Sequence, residues 1–204
     1  TEAGFGADLG AEKFMDIKCG YGNLKPDAVV VVATIRALRH HGGAKKEEYN
    51  DPSTERVRIG FANLHRHLEN VRKFGITPVV AINNFHSDSK EEIELVKALC
   101  AEIGVKAVLS QGWAKGGEGT KDLAKAVAES AESGNNNFKK LYDWNDSIDK
   151  KIKTIAREIY RAAEVEYAPQ ARREMKTLEV LGLDKLPICM AKTQKSFSDN
   201  EALI

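Results

Sequence analysis

The chain has 204 residues, of which 42% are hydrophobic and 30% charged, and its formal net charge is +1. That is enough apolar material for one large or two small domains, and the near-neutral balance excludes a bulk field directed at nucleic acid or an anionic membrane. No apolar run approaches the ~20 residues that span a bilayer, the opening Thr1-Glu2-Ala3-Gly4 is no signal peptide, and the three scattered cysteines (Cys19, Cys100, Cys189), with no Cys-x-x-Cys pair, indicate neither a zinc knuckle nor a disulfide framework and imply a reducing, cytoplasmic setting.

Thr1–Gly10 is a small, glycine-rich, acidic loop, an odd opening that suggests a piece of something longer. Ala11–Lys18 reads as a short helix or an extended segment. Cys19–Pro26 is a loop, with Gly20, Gly22, Asn23 and Pro26 as turn residues. The stretch Asp27–Gly43 organises the chain. Its β-branched run Val29–Val32, within Ala28–Ala33, predicts a strand buried on both faces in the middle of a parallel sheet. The stretch then turns cationic (Arg36, Arg39, His40, His41) and ends in Gly42-Gly43, as the floor of an anion site would. Ala44–Asp51 is polar and reads as a mobile surface loop.

Thr54–Phe74 is the longest helical pattern, with Val57, Phe61, Leu64, Leu68, Val71 and Phe74 spaced by three or four, Ser53 or Thr54 as cap and Gly75 as stop. Pro78–Asn83 is a second buried strand. Ser89 caps a helix running from Lys90 to about Ile103, and Val105–Leu109 is a third strand. The Gly-rich loop Gly112–Gly119 leads into a helix over Thr120–Ser133, with Leu123, Val127 and Ala131 facing inward. Two more helical segments follow, Ile148–Tyr160 and Ala168–Leu181. Leu186–Met190 reads as a further short strand, and Ala191–Asn200 is polar. Strands and helices alternate at a period of roughly 30 residues, the size of a βαβ unit. The fold class is therefore α/β: a parallel sheet of βαβ units with right-handed crossovers, in a P-loop-NTPase-like or Rossmann-like three-layer architecture.

Parallel strands bring their following loops to one edge, where open α/β sheets bind ligands. One loop holds Thr34, Arg36 and Arg39; the second, Asn83-Asn84-Phe85-His86-Ser87-Asp88; the third, Ser110 to Gly119 with Trp113 and Lys115. Phe85 and Trp113 at a sheet mouth suggest a slot for a flat ring, and the arginines suit a carboxylate or phosphate. Structural readings stand beside these. Trp113 is also consistent with an ordinary aromatic, Phe85 with a plug of the sheet edge, and Arg36 with an ion pair to a carboxylate such as Asp88. His40-His41 lacks the spacing of helical metal ligands. His65, His67 and the charges of Lys139–Lys153 read as solvated, and Cys100 as core. Gly116-Gly117-Glu118-Gly119 is an anion cradle or a tight turn, and is no Walker A loop because no Gly-Lys-Ser/Thr follows.

Val32-Ala33-Thr34-Ile35-Arg36-Ala37-Leu38-Arg39-His40-His41-Gly42-Gly43 closely resembles a signature of the formate–tetrahydrofolate ligases. The resemblance extends over Thr1–Gly10, Gly60–Leu64, Ala81–Phe85, Trp113–Gly119 and Pro187–Gln194. It implies an enzyme that joins formate to tetrahydrofolate, consumes ATP with magnesium and passes through formyl phosphate. A monovalent cation and a homo-oligomer are also implied. The positions that match the family's folate pocket are Phe5, Phe85, Leu109 and Trp113; Arg36, Arg39 and Asn83 are candidate anion or nucleotide contacts, and no catalytic residue or metal ligand is assigned. His86 stands where the family commonly has proline, and the segment after Gly43 is short and unusually charged. The family's phosphate-binding loop is not matched. The expectation is a folate-binding α/β part over 1–134, a mainly helical extension with a short terminal strand over 135–204, and a piece inactive without the remainder of its chain.

Other classes fit the same residues. The loops after the second and third strands resemble the base-reading loops of P-loop GTPases, although Asn-Lys-x-Asp is absent. A non-catalytic α/β module that binds a nucleotide or a folate is the remaining reading.

Overall fold

The computed structural model describes residues 1–4, 6–192 and 197–198. The chain divides into two compact units. One is Pro26–Phe138; the other is formed by the described residues on either side, 1–25 and from Lys139 onward.

The first unit is a parallel sheet of β1 (Val30–Ala33), β2 (Val79–Asn83) and β3 (Lys106–Ser110) in the order β1-β2-β3. Ala33 lies opposite Ile82, and Ile82 opposite Leu109, so the three carboxyl ends are level. Between the strands run α2 (Ile35–His41), α3 (Thr54–Lys73) and α4 (Lys90–Glu102); after β3 come α5 (Gly112–Lys115) and α6 (Lys121–Glu132), and a short helical segment of the other unit, α1 (Cys19–Gly22), precedes them all. Val80 and Ile82 share one core with Leu38, Val57, Phe61, Leu64 and Leu68, and with Ile93, Val96, Leu99 and Cys100 of α4. On α3 the buried residues recur every three or four positions, as an amphipathic helix requires. With α6 packed on β2 and β3 the architecture is three-layered α/β, as the sequence predicts.

Two glycines let α2 and α3 cross closely. A Cβ on Gly42 would sit 1.9 Å from the Arg56 carbonyl oxygen, and one on Gly60 1.9 Å from that of Leu38. Ser53 and Ser89 cap α3 and α4 by accepting from Arg56 N and Glu92 N, and Gly75 and Gly104, at φ of 79° and 66°, follow the helix ends.

Several sequence expectations are corrected, among them the loop expected over Cys19–Pro26, whose first four residues form α1. The strand at Ala28–Ala33 is not central and not buried on both faces: β1 is an edge of the described sheet, and Val30 and Val32 are exposed. Central burial belongs to β2, whose first four residues are all buried. The period-2 test could not separate these cases, because both strands are continuous apolar runs. Lys46–Glu48 forms a tight helical turn with a capping box, in the segment expected to be a mobile loop. On α6 the buried residue is Ala126, with Leu123 and Val127 half-buried and Ala131 exposed.

The second unit contains helical turns over Ala7–Ala11 and Phe14–Lys18 leading into α1, then α7 (Ile148–Glu158) and α8 (Pro169–Val180). Trp144 Nε1 donates to the Asp16 carbonyl at 3.1 Å, Leu141 N to Asp16 Oδ1 at 2.7 Å, and Tyr160 Oη to the Asp8 carbonyl at 3.0 Å. Two further corrections lie here. Leu186–Met190 is not a strand. Ile188 N donates to Tyr142 Oη, and the carbonyls of Asp184 and Leu186 accept from Lys151. Lys151, expected on a solvated face, is fully buried, its ammonium also held by the Trp144 carbonyl.

Candidate functional site

The level carboxyl ends of β1, β2 and β3 place three loops side by side within the first unit. The first begins at Thr34, whose hydroxyl accepts from Ala37 N at 3.0 Å and starts α2. The second begins beyond Asn83. Asn84 N donates to the Ser110 carbonyl at 3.0 Å, extending the β2–β3 ladder by one bond. Phe85 N then donates to Asp88 Oδ2 at 2.8 Å, and Asp88 N to the Phe85 carbonyl at 3.1 Å, which closes a tight turn. Burial pushes the Asp88 carboxyl up from its ordinary range. The third loop is closed at its base by Gln111 N donating to the Gly119 carbonyl at 2.9 Å, with α5 and a turn over Gly116–Thr120 between.

The aromatic candidates sit on the last two loops. Phe85 is 40% exposed and Trp113 is 97% exposed. An indole so open presents both faces to solvent. Leu109 is half-buried against the core, so it joins the mouth of the sheet to its interior. Asn83 is half-buried opposite Ser110. Phe5 lies outside the described residues.

The two arginines part company. Arg36 is exposed on the first turn of α2, its guanidinium 5.4 Å from the centre of the Tyr49 ring rather than paired with Asp88. Arg39 is fully buried. Its Nε and Nη2 donate to the two oxygens of Glu92 at 2.8 and 2.5 Å, its Nη1 to the Tyr49 carbonyl at 2.8 Å, and its Nη2 to the Ser87 carbonyl at 2.9 Å. That guanidinium is engaged by the protein itself rather than open to a ligand. Burial alone would raise Glu92, but the hydrogen bonds from Arg39 and from Ser53 N and Ser89 N hold it down to about 2.

The histidine pair is local structure. His40 Nδ1 lies 2.8 Å from Tyr49 Oη, and burial, with His40 and His67 nearby, pushes His41 down to about 4. The glycine turn at Gly116–Gly119 carries the exposed pair Glu118–Lys121 at 2.7 Å. Among the described residues no group of three or more His, Cys, Asp or Glu side chains is placed to hold a metal ion, and no helix is long and apolar enough to cross a membrane.

Sequence reasoning missed Glu92, although Ser89-x-x-Glu92 is a capping-box spacing ahead of an apolar run. It also missed the buried carboxyls Asp8, Glu12 and Asp16 of the second unit, whose four-residue spacing puts them on one face of a helical segment.

A family model described as formate–tetrahydrofolate ligase matches residues 1–204, and the chain belongs to that family.

Proposed function

We propose that this chain supplies the tetrahydrofolate-binding surface of an ATP-dependent ligase that makes 10-formyltetrahydrofolate through formyl phosphate. Family membership carries the ligase class and its substrates, formate, tetrahydrofolate and ATP. The observation that supports the surface is the level edge of the parallel sheet, where the half-exposed Phe85 and the almost fully exposed Trp113 stand on neighbouring strand ends. Two aromatic faces suit the flat pterin and benzoyl rings of a folate, and Leu109 offers an apolar floor. Within this reading the folate-binding role falls to the 1–134 part of the chain.

On this reading the chain's own residues bind and orient. Stacking fixes the folate ring plane, which sets the line along which its amine approaches the formyl carbon. Such a step depends on near-attack geometry more than on a strong base. Arg36 and Asn83, at the same edge, are the groups we assign to anionic or nucleotide contacts.

The sequence holds no Gly-x-x-x-x-Gly-Lys-Ser/Thr loop of the kind that cradles ATP phosphates. We therefore assign no step of phosphoryl transfer to these residues and propose that these 204 residues alone do not synthesise formyltetrahydrofolate.

Calorimetric titration of the purified chain with tetrahydrofolate tests the reading. Trp113→Ala is expected to weaken binding about tenfold or more, the worth of one stacked anchor. Binding that is indifferent to Trp113→Ala, or preference for a purine nucleotide over tetrahydrofolate, overturns it.

A further inference from the structure

Among the described residues, hydrogen bonds attach the loop bearing Phe85 to the rest of its unit at two places. On the strand side, Asn84 N is bonded to the Ser110 carbonyl. On the helix side, the Ser87 carbonyl is bonded to Arg39 Nη2 at 2.9 Å. The hydrogen bonds between Phe85 and Asp88 shape the turn but do not fasten it to anything else. Arg39 is thus a distant side chain, 48 residues away in sequence, that holds the far end of this loop.

The same guanidinium is bound to Glu92, whose oxygens also accept from Ser53 N at 2.8 Å and Ser89 N at 3.0 Å. One buried pair therefore ties together the starts of α3 and α4, the Tyr49 carbonyl and the Phe85 loop. A buried ion pair is a poor source of net stability, and an apolar pair of similar volume often serves packing as well. An apolar pair cannot hold two loop carbonyls. A lysine at 39 would lack the planar fork that meets both Glu92 oxygens and the Tyr49 and Ser87 carbonyls at once.

We propose that Arg39 and Glu92 are positioning residues for folate binding: the pair holds the Phe85 loop in the conformation that accepts the ring. This rests on the folate reading of Phe85 given above. The pair touches no substrate, and its effect on affinity passes through Phe85.

The test uses the purified 204-residue chain with Arg39→Lys, and with Glu92→Gln as a second variant should the first fail to fold. Hydrogen exchange of the ligand-free chain is expected to rise about tenfold at the protected amides of residues 84–88, while β2 and the body of α3, beyond its first turn, exchange as before. Tetrahydrofolate affinity is expected to fall about 5- to 20-fold. In a Phe85→Ala background, Arg39→Lys is expected to weaken binding by less than about twofold, because the two changes act through one contact. A chain that binds folate but shows unchanged loop exchange or unchanged affinity in the variant that folds, or in which the effects of Arg39→Lys and Phe85→Ala simply multiply, overturns the inference. A native chain that binds no tetrahydrofolate overturns the folate reading itself, and the pair's role in binding falls with it.

Discussion

Gly60 offers a sharp test of why the first unit holds its shape. It lies on α3 against α2, and a Cβ built there would stand 1.9 Å from the Leu38 carbonyl oxygen and 2.9 Å from Gly42 N. Ordinary contact between such atoms is about 3.3–3.5 Å, so the helices must separate by more than ~1 Å. Both obstructing atoms are backbone and cannot rotate away. Overpacking of this kind costs about 1–3 kcal/mol, here towards the upper end. Alanine's better helix propensity returns up to ~1 kcal/mol. The expected net for Gly60→Ala is a loss of about 1–2 kcal/mol, or a fall in Tm of roughly 2–8 °C. Gly117→Ala is the matched control: nothing lies within 4 Å of its Cβ position and its φ is not left-handed, so stability is unchanged or rises by up to ~1 kcal/mol. Urea denaturation followed by far-ultraviolet circular dichroism measures both. A Gly60→Ala chain as stable as the native one, or more so, refutes the close-crossing argument.

Two further predictions concern the second unit. Burial, followed by the Asp16 carboxylate, pushes the Glu12 carboxyl up to about 8. Its folded pKa thus exceeds the ordinary value of 4.5, and below that value both states are protonated. As pH rises towards 8 the unfolded chain releases a proton that the folded chain keeps, so folding stability falls. Glu12→Gln should therefore stabilise the chain by about 1–4 kcal/mol at pH 8 and leave it unchanged at pH 4; urea melts giving equal differences at the two pH values would refute this. Lys151→Met keeps the stem but leaves the carbonyls of Trp144, Asp184 and Leu186 without their donor. A loss of about 2–4 kcal/mol is expected in the same melts, and a neutral Lys151→Met would show that water replaces the ammonium.

Much of the fold was legible because its signals are local. The three-to-four spacing from Val57 to Val71, Ser89 before Lys90, and Gly75 and Gly104 after their helices each report a backbone state that the neighbouring residues decide. The errors fall where the deciding atoms are remote. Nothing within Val29–Val32 tells whether a second layer covers both faces, so an edge strand with exposed Val30 and Val32 resembled a central one. Lys151 resembled its solvated neighbours because its carbonyl partners at 184 and 186 lie more than 30 residues on. Leu186–Met190 has the composition of a strand but no neighbouring strand to pair with among the described residues. At the candidate site, Phe85 and Trp113 stood out by residue type and place in the chain, but their exposure did not. The anchoring of Phe85 through Arg39 and Glu92, 53 residues apart, was not legible.

The cationic stretch that resembles a ligand floor divides differently once its partners are known. Thr34 caps a helix, Arg39 is enclosed by Glu92 and two carbonyls, and Gly42 with Gly60 allows two helices to touch. His40 meets Tyr49, and Arg36 alone keeps its guanidinium near solvent. Apart from Arg36, the residues named from this stretch are therefore engaged within the first unit itself. The open aromatic surface lies instead on the ends of β2 and β3. A substitution within the stretch should consequently reach folate binding through loop geometry, with affinity tracking the exchange rate of the Phe85 loop, whereas a change at Trp113 should alter affinity and leave that exchange rate as it was.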